Sequence, residues 1–352
     1  MSELRKLLLD LQTNYPQACL SDHIKWIYQS EFGCGHFVSD TLQARIALQE
    51  ECAAAQRGRC LFEKLGSGYR RVYLKNALEL GASIDTLTAM FVQTAQNSRG
   101  SKSRFRAKLQ ELSQLCREGA LPFSSGACQL YLLNYEAAGY PSVHHSTAYH
   151  KAYAPAYRVI SENYARFFEL FLRIDRLLAS EKEVILVAID GPCASGKTTL
   201  SALLASCYDC SVFHADDFYL RPEQKTPERL QEAGGNMDRE RLQEEVLTPL
   251  CAQTPVCYRP YSCKTQTLRD GTIVPFHRLN IIEGSYSLHP QLRSFYDLKV
   301  VLDISPEHQL SRLKRRESQK SLKVFSERWI PMEQNYARTT GLFSCADLIY
   351  PC

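Results

Sequence analysis

A lysine followed by a threonine, at the end of a glycine-started stretch, is the pairing in this chain with the most definite chemistry. Gly191-Pro192-Cys193-Ala194-Ser195-Gly196-Lys197-Thr198 fits the spacing G-x-x-x-x-G-K-S/T. In that pattern the backbone N–H groups of the loop turn inward around phosphate oxygens, the lysine adds a point charge, and the hydroxyl faces a magnesium ion. Gly191, Ala194, Ser195, Gly196, Lys197, Thr198 and Thr199 are therefore the candidate contacts to a nucleotide's phosphates. A chance match in a glycine turn would need no buried strand before it. Val184-Ile185-Leu186-Val187-Ala188-Ile189 supplies one, and a helix opening near Lys197 aims its positive end at the same spot.

Three acids follow apolar runs further on. Asp216 and Asp217 come after Ser211-Val212-Phe213-His214-Ala215, and Glu283 ends the run that begins at Arg278. Open α/β sheets bind ligands at the carboxyl ends of their strands, so these carboxylates are placed to accept the proton of an attacking hydroxyl and to sit near magnesium. The plainer reading of Asp216 and Asp217, an N-cap and a turn residue, leaves their coupling to the upstream loop unexplained. The stretch Ser305–Arg316 gathers Arg312, Lys314, Arg315 and Arg316. Such a helix is either a solvated cationic face or a lid that supplies charge to a phosphoryl in transfer, and the phosphate loop favours the lid.

Two polar patches lie in the first half: Glu31-Phe32-Gly33-Cys34-Gly35-His36, and His144-His145-Ser146-Thr147-Ala148-Tyr149-His150 followed by Tyr153, Tyr157 and Arg158. One reading has His36, His145 and His150 converge with Glu31 and Arg158 on a second ligand or metal site. The preferred reading is that they cap helices and bond carbonyls. The basic run Lys102, Arg104, Arg106, Lys108 reads as a solvated helix face, and Cys207 with Cys210 lacks a second pair to complete a zinc site.

The elements that would hold these groups divide the 352 residues in two. Residues 1–178 read as a mostly helical domain, with helical spacing over 3–12, 39–56, 71–80, 84–97 and 103–117 and a long helix starting at Pro155. Residues 179–352 read as α/β, with further strands at 298–303 and 347–350 making a parallel, doubly wound sheet. A net charge of +4 suits small anions and does not argue for nucleic acid. The amphipathic N-terminus is not a signal peptide and no stretch reaches membrane-spanning length, so a cytoplasmic protein is expected, its 14 cysteines read mostly as reduced, buried side chains.

Over 184–352 the successive motifs GPCASGKTT, HADDFYLRPE, GGNMD, IIEGSYSLHP, RLKRR and FSERWIPMEQNY resemble the uridine kinase family, within the phosphoribulokinase and uridine kinase group of P-loop kinases. The resemblance implies a P-loop kinase domain that uses ATP and Mg2+ to phosphorylate a hydroxyl, typically of a nucleoside. It implies Lys197 on the β- and γ-phosphates, Thr198 on magnesium, Asp216 as general base, Glu283 near magnesium and Arg316 in the lid. Asp238 would grip ribose hydroxyls, or else cap the helix from Arg239. Tyr219, Tyr258 and Arg259 complete the expected acceptor side. The sequence departs from the pattern in a short lid, ESQKSLKVF, and in Tyr258-Arg259-Pro260-Tyr261-Ser262-Cys263, which has no histidine for a pyrimidine. SVFHADDFYLRPE is about as similar to nicotinamide riboside kinases, so that acceptor stays open. The first half resembles no family; an ATP-gated regulator and a bifunctional enzyme are the competing readings. The expected partner is a small-molecule hydroxyl acceptor, with no nucleic acid and no membrane, and a homo-oligomer stays open.

Overall fold

The computed structural model describes residues 2–34 and 40–352. They form two compact units, Met1–Asp175 and Arg176–Cys352.

In the first unit helices form where the apolar spacing predicts them: Glu3–Asn14, Thr41–Ala54, Ile84–Asn97 and Lys102–Arg117. Ser2, Asp40, Ser83 and Ser101 start them, each side chain accepting a first-turn N–H. Three more, Leu20–Phe32, Ser125–Ala137 and Thr147–Tyr153, carry too many polar or aromatic residues for their period to stand out.

Two expected helices are corrected. Within 71–80 only Leu74–Glu79 is helical, because Tyr69–Tyr73 is a strand, β2, paired antiparallel with β1 (Phe62–Gly66). Aromatic and β-branched residues beside a tight turn favour the hairpin, and Gly66, Ser67 and Gly68 all take positive φ to make it. The long helix from Pro155 begins instead with β3 (Tyr157–Ser161), which pairs with β2; helices Glu162–Arg166 and Phe168–Leu178 follow. Register opposes Glu63 to Arg71 and Tyr73 to Tyr157, so these four share one face of the small sheet. That face meets the Leu20–Phe32 helix, where Gln29 receives Arg71. The other side of the helix puts Ile24 and Ile27 into an apolar core with Leu8, Phe105, Leu109 and Leu112.

The second unit is built on five parallel strands, β4 (Ile185–Asp190), β5 (Cys210–His214), β6 (Leu279–Glu283), β7 (Leu298–Asp303) and β8 (Leu348–Pro351), in the order β8-β7-β4-β6-β5. β4 and β6 are buried along their whole length, as continuous apolar runs inside a parallel sheet should be. With its flanking helices this is the expected doubly wound sheet behind a mostly helical first half. β6 runs between β4 and β5 with Glu283 level with Ile189 and His214, which brings their three carboxyl-end turns together. Among the described residues no helix is long and apolar enough to cross a membrane.

Candidate active site

The phosphate loop leaves the middle strand of the sheet. Gly191 takes φ 143, and a Cβ on it would stand 2.3 Å from the Leu302 carbonyl oxygen of β7, so the glycine is fixed by close approach. Just before it Asp190 is buried, and its carboxylate accepts from the amides of Gly191 (2.6 Å), Tyr286 (3.1 Å) and Leu288 (2.8 Å) and from the Tyr336 hydroxyl (2.8 Å). Burial pushes this carboxyl's pKa up against those hydrogen bonds. From outside, Gln309 Nε2 donates to the Cys193 carbonyl (3.1 Å) and Arg312 Nη1 to those of Ala194 and Ser195 (3.0 and 3.2 Å). With these carbonyls engaged, the first amides of the Lys197–Ala205 helix, which have no intrahelical acceptor, are the groups left for an anion.

Lys197 is buried, and its Nζ donates to the Gly191 and Pro192 carbonyls (2.8 and 3.0 Å) and to Ser285 Oγ (3.3 Å). The exposed Thr198 donates its hydroxyl to Glu283 Oε1 (3.0 Å), and His214 Nδ1 lies 2.6 Å from the same oxygen. The Glu283 carboxylate raises the His214 pKa. A hydroxyl and a carboxylate are hard oxygen donors that fit magnesium, which takes one or two protein oxygens and completes its shell from water and phosphate. Among the described residues no group of three or more His, Cys, Asp or Glu side chains could hold a metal by itself.

Asp216 is exposed at the end of β5 and accepts from the Tyr219 hydroxyl at 3.0 Å. Its neighbour Asp217 is half-buried, takes the Tyr258 hydroxyl (3.3 Å), and is raised in pKa by burial. The Tyr258 ring stacks on Phe218, 5.4 Å between centroids. Asp238 is buried and has its plainer role filled: one oxygen caps the Arg239–Leu242 helix through the Arg241 amide (3.2 Å), and the other takes Gln224 Nε2 (3.0 Å). Arg259 is exposed, and its carbonyl accepts from Arg241 Nη1 at 2.7 Å.

The basic helix Pro306–Arg316 meets the loop through Arg312, not Arg316. Arg316 is exposed, pairs with Glu317 (2.8 Å) and lies over the Phe325 ring. Sequence reasoning also missed Glu333. On the Ile330–Thr340 helix, its buried carboxylate accepts the Cys193 amide (2.9 and 3.1 Å) and the Ser285 hydroxyl (2.9 Å). Tyr336, three residues on, reaches Asp190. The i, i+3 pair inside the motif FSERWIPMEQNY was the available signal.

The second set of candidates does not gather at one point. Glu31 is held by Arg104 (2.8 Å), Lys108 (3.0 Å) and the Ser101 amide (2.8 Å), so two members of the basic run face a buried acid. Arg158 pairs with Glu51 at 2.6 Å. His145 lies between Asp22 and Tyr157, with the exposed His150 edge-on to it at 5.8 Å. His36 lies outside the described residues.

No family model and no curated protein matches the chain. Solved structures do. A possible uridine kinase from Bacillus stearothermophilus is 23% identical over 52% of this chain and 99% of its own, with a TM-score of 0.38. A putative fructose transport system kinase from Silicibacter sp. TM1040 is 23% identical over 51% of this chain and 95% of its own, at 0.37. Phosphoribulokinase from Rhodobacter spheroides is 14% identical over 49% and 71%, at 0.35. The likeness is thus to uridine kinase, phosphoribulokinase and related P-loop kinases over about half the chain.

Proposed function

We propose that the second unit is a cytoplasmic kinase that transfers the γ-phosphoryl group of ATP to a small-molecule hydroxyl, with a nucleoside of uridine type as the first acceptor to test. The observation that carries this reading is one sheet edge holding a phosphate loop, a hydroxyl–carboxylate pair at 3.0 Å and an exposed carboxylate on the next strand. A nucleotide switch would need the first two and not the third.

The loop amides bind the phosphates, and Lys197 exchanges its two carbonyl partners for phosphate oxygens. Thr198 and Glu283 would hold magnesium, which when bound neutralises charge on the β- and γ-phosphates. Asp216 takes the proton of the acceptor hydroxyl, oriented by the Tyr219 hydroxyl. Arg312 keeps the loop carbonyls turned outward, so the site's donors are set before the reaction.

The test is ADP release across a panel of nucleosides, nicotinamide riboside, pantothenate and polyols. One acceptor should raise it well above the rate with ATP alone. Asp216→Asn should lower the acceptor-dependent rate by about 10²-fold or more while ATP still binds. A fully active Asp216→Asn protein removes the proposed base. ADP release that no acceptor stimulates favours the ATP-gated regulator.

A further inference from the structure

Between the small sheet and the Leu20–Phe32 helix, where an apolar core would be expected, lies a layer of buried polar groups. The helix contributes Asp22, Lys25, Trp26 and Gln29, all at most 8% exposed. Their spacing of three and four residues puts them on one face. The sheet contributes Glu63, Arg71, Tyr73 and Tyr157, and the Thr147–Tyr153 helix contributes Tyr149 with His145 just before it.

The acids of this layer already have donors. Asp22 accepts on both oxygens, from the Cys19 and Ser146 amides, the Ser146 hydroxyl and His145 Nδ1, and Glu63 takes Arg71 and the Tyr73 hydroxyl on Oε2. The donors are not all paired. Arg71 is fully buried, with its guanidinium carbon 4.5 Å from the Trp26 ring centre and 4.4 Å from that of Tyr157. It uses three of its five N–H groups, two on Gln29 (2.9 and 2.7 Å) and one on Glu63 (3.0 Å). Among the described residues Trp26 Nε1 and the Tyr149 hydroxyl, on residues 3% and 1% exposed, have no hydrogen-bond partner. Through Tyr15, whose ring lies 5.3 Å away and whose hydroxyl meets that of Tyr73 at 2.9 Å, Tyr149 packs toward the Tyr73 and Glu63 end of the layer. Its ring is stacked on His145 at 4.1 Å, and His145 is fixed at both nitrogens, by Asp22 (2.8 Å) and Tyr157 (2.6 Å). A buried cation beside two donors without partners, with Asp22 filled and Glu63 paired to the cation itself, calls for a partner that only accepts. The layer reaches solvent at Tyr157 and Glu63, both partly exposed.

We infer that this layer is a second small-molecule site, which binds the oxyanion of a metabolite, a phosphoryl or carboxyl group, through Arg71, Trp26 Nε1–H and the Tyr149 hydroxyl. It is independent of the kinase assignment. The test is calorimetric titration of the whole chain carrying Lys197→Ala, which weakens the phosphate loop, with inorganic phosphate in one arm and malonate in the other. Saturable binding is expected in at least one arm, and the tighter arm names the group. Trp26→Phe and Tyr149→Phe each delete one unpartnered polar atom and keep the ring. Each should weaken binding roughly tenfold and leave the thermal midpoint unchanged or raised. The two variants act on separate atoms, so either one alone decides if the other fails to fold. No saturable binding in either arm overturns the site, as does binding that both variants leave intact, which would belong to the phosphate loop.

Discussion

Two buried cations, Lys197 in the second unit and Arg71 in the first, are held in opposite ways. In the second, Lys197 sits on backbone carbonyls of its own loop, and side chains from other elements fasten the loop from behind. In the first, Arg71 sits on side chains brought from Gln29 and Glu63, with no backbone carbonyl of the described residues among its hydrogen-bond partners. A charge held by exchangeable carbonyls can move to a ligand at small cost to the fold. One held by buried side chains is part of the fold, and removing it leaves its partners uncompensated. The largest expected effects test that contrast directly. Lys197→Met should lower phosphoryl transfer by about 10³-fold with little change in unfolding midpoint. Arg71→Met should cost about 3 kcal/mol, measured by urea unfolding followed at Trp26 in a Trp329→Phe background. Equal stability losses in the two variants would erase the distinction.

Gly191→Ala probes the backbone side of the comparison. With φ 143 and a 2.3 Å approach to Leu302, the substitution forces β4 and β7 apart, at an expected cost of about 2–4 kcal/mol. Urea unfolding followed at Trp329 should register it, and an unchanged midpoint would mean that the loop tolerates a path different from the one described.

The same contrast explains what was legible beforehand. The phosphate loop is contiguous, its strand is a continuous apolar run, and its chemistry follows from spacing alone. Asp216 and Glu283 come to one edge because parallel strands end there, a placement that the apolar runs before them already imply. Glu333, Gln309 and Arg312 act on the loop through contacts across long separations that no periodicity reports, and the basic helix was expected to work through Arg316, four residues and a turn away from the side chain that touches the loop. The first unit is harder still. Its polar layer draws on segments near residues 22, 63, 71, 149 and 157, and two of them lie on strands expected to be helical. With β2 and β3 expected as helices, Arg71 and Tyr157 fall on no common face; His145, weighed for a site with Arg158 but preferred as a cap or carbonyl partner, stands between Asp22 and Tyr157, and Arg158 pairs with Glu51.

Protonation tests how firmly the first unit's polar layer is held. Burial lowers the His145 pKa from 6.5 to about 3, against the pull of Asp22; Asp22 itself is lowered to about 2, where hydrogen bonds from His145, Ser146 and Cys19 outweigh its burial. Both folded pKa values lie below the unfolded ones, so the stability these groups contribute is present at neutral pH. His145's share is lost as pH falls from about 6.5 toward 3, and Asp22's from about 3.8 toward 2. Each proton taken up on unfolding steepens the fall by about 1.4 kcal/mol per pH unit. The buried His23 and, in the second unit, His289 are lowered by burial too and add to the slope, so the quantity to read is the difference between the unmodified chain and His145→Asn in urea midpoints between pH 6 and 4. Parallel slopes would show that His145 titrates normally in the fold.

The smallest effect tests whether the fastening behind the phosphate loop matters to its use. Glu333 accepts the Cys193 amide with both oxygens and the Ser285 hydroxyl with one, and Ser285 also meets Lys197. Glu333→Gln keeps the shape and one acceptor and removes the charge, so one of these contacts weakens and the loop loses part of its preset geometry. Since the effect falls on phosphate binding before any bond changes, KM for ATP should rise by roughly three- to tenfold with kcat nearly constant. Glu333→Ala, which frees the amide and the hydroxyl together, should exceed it. A fall in kcat at constant KM would place Glu333 in the transfer step, and unchanged kinetics in both variants would reduce it to packing, leaving Asp190 and Arg312 as the contacts that shape the loop.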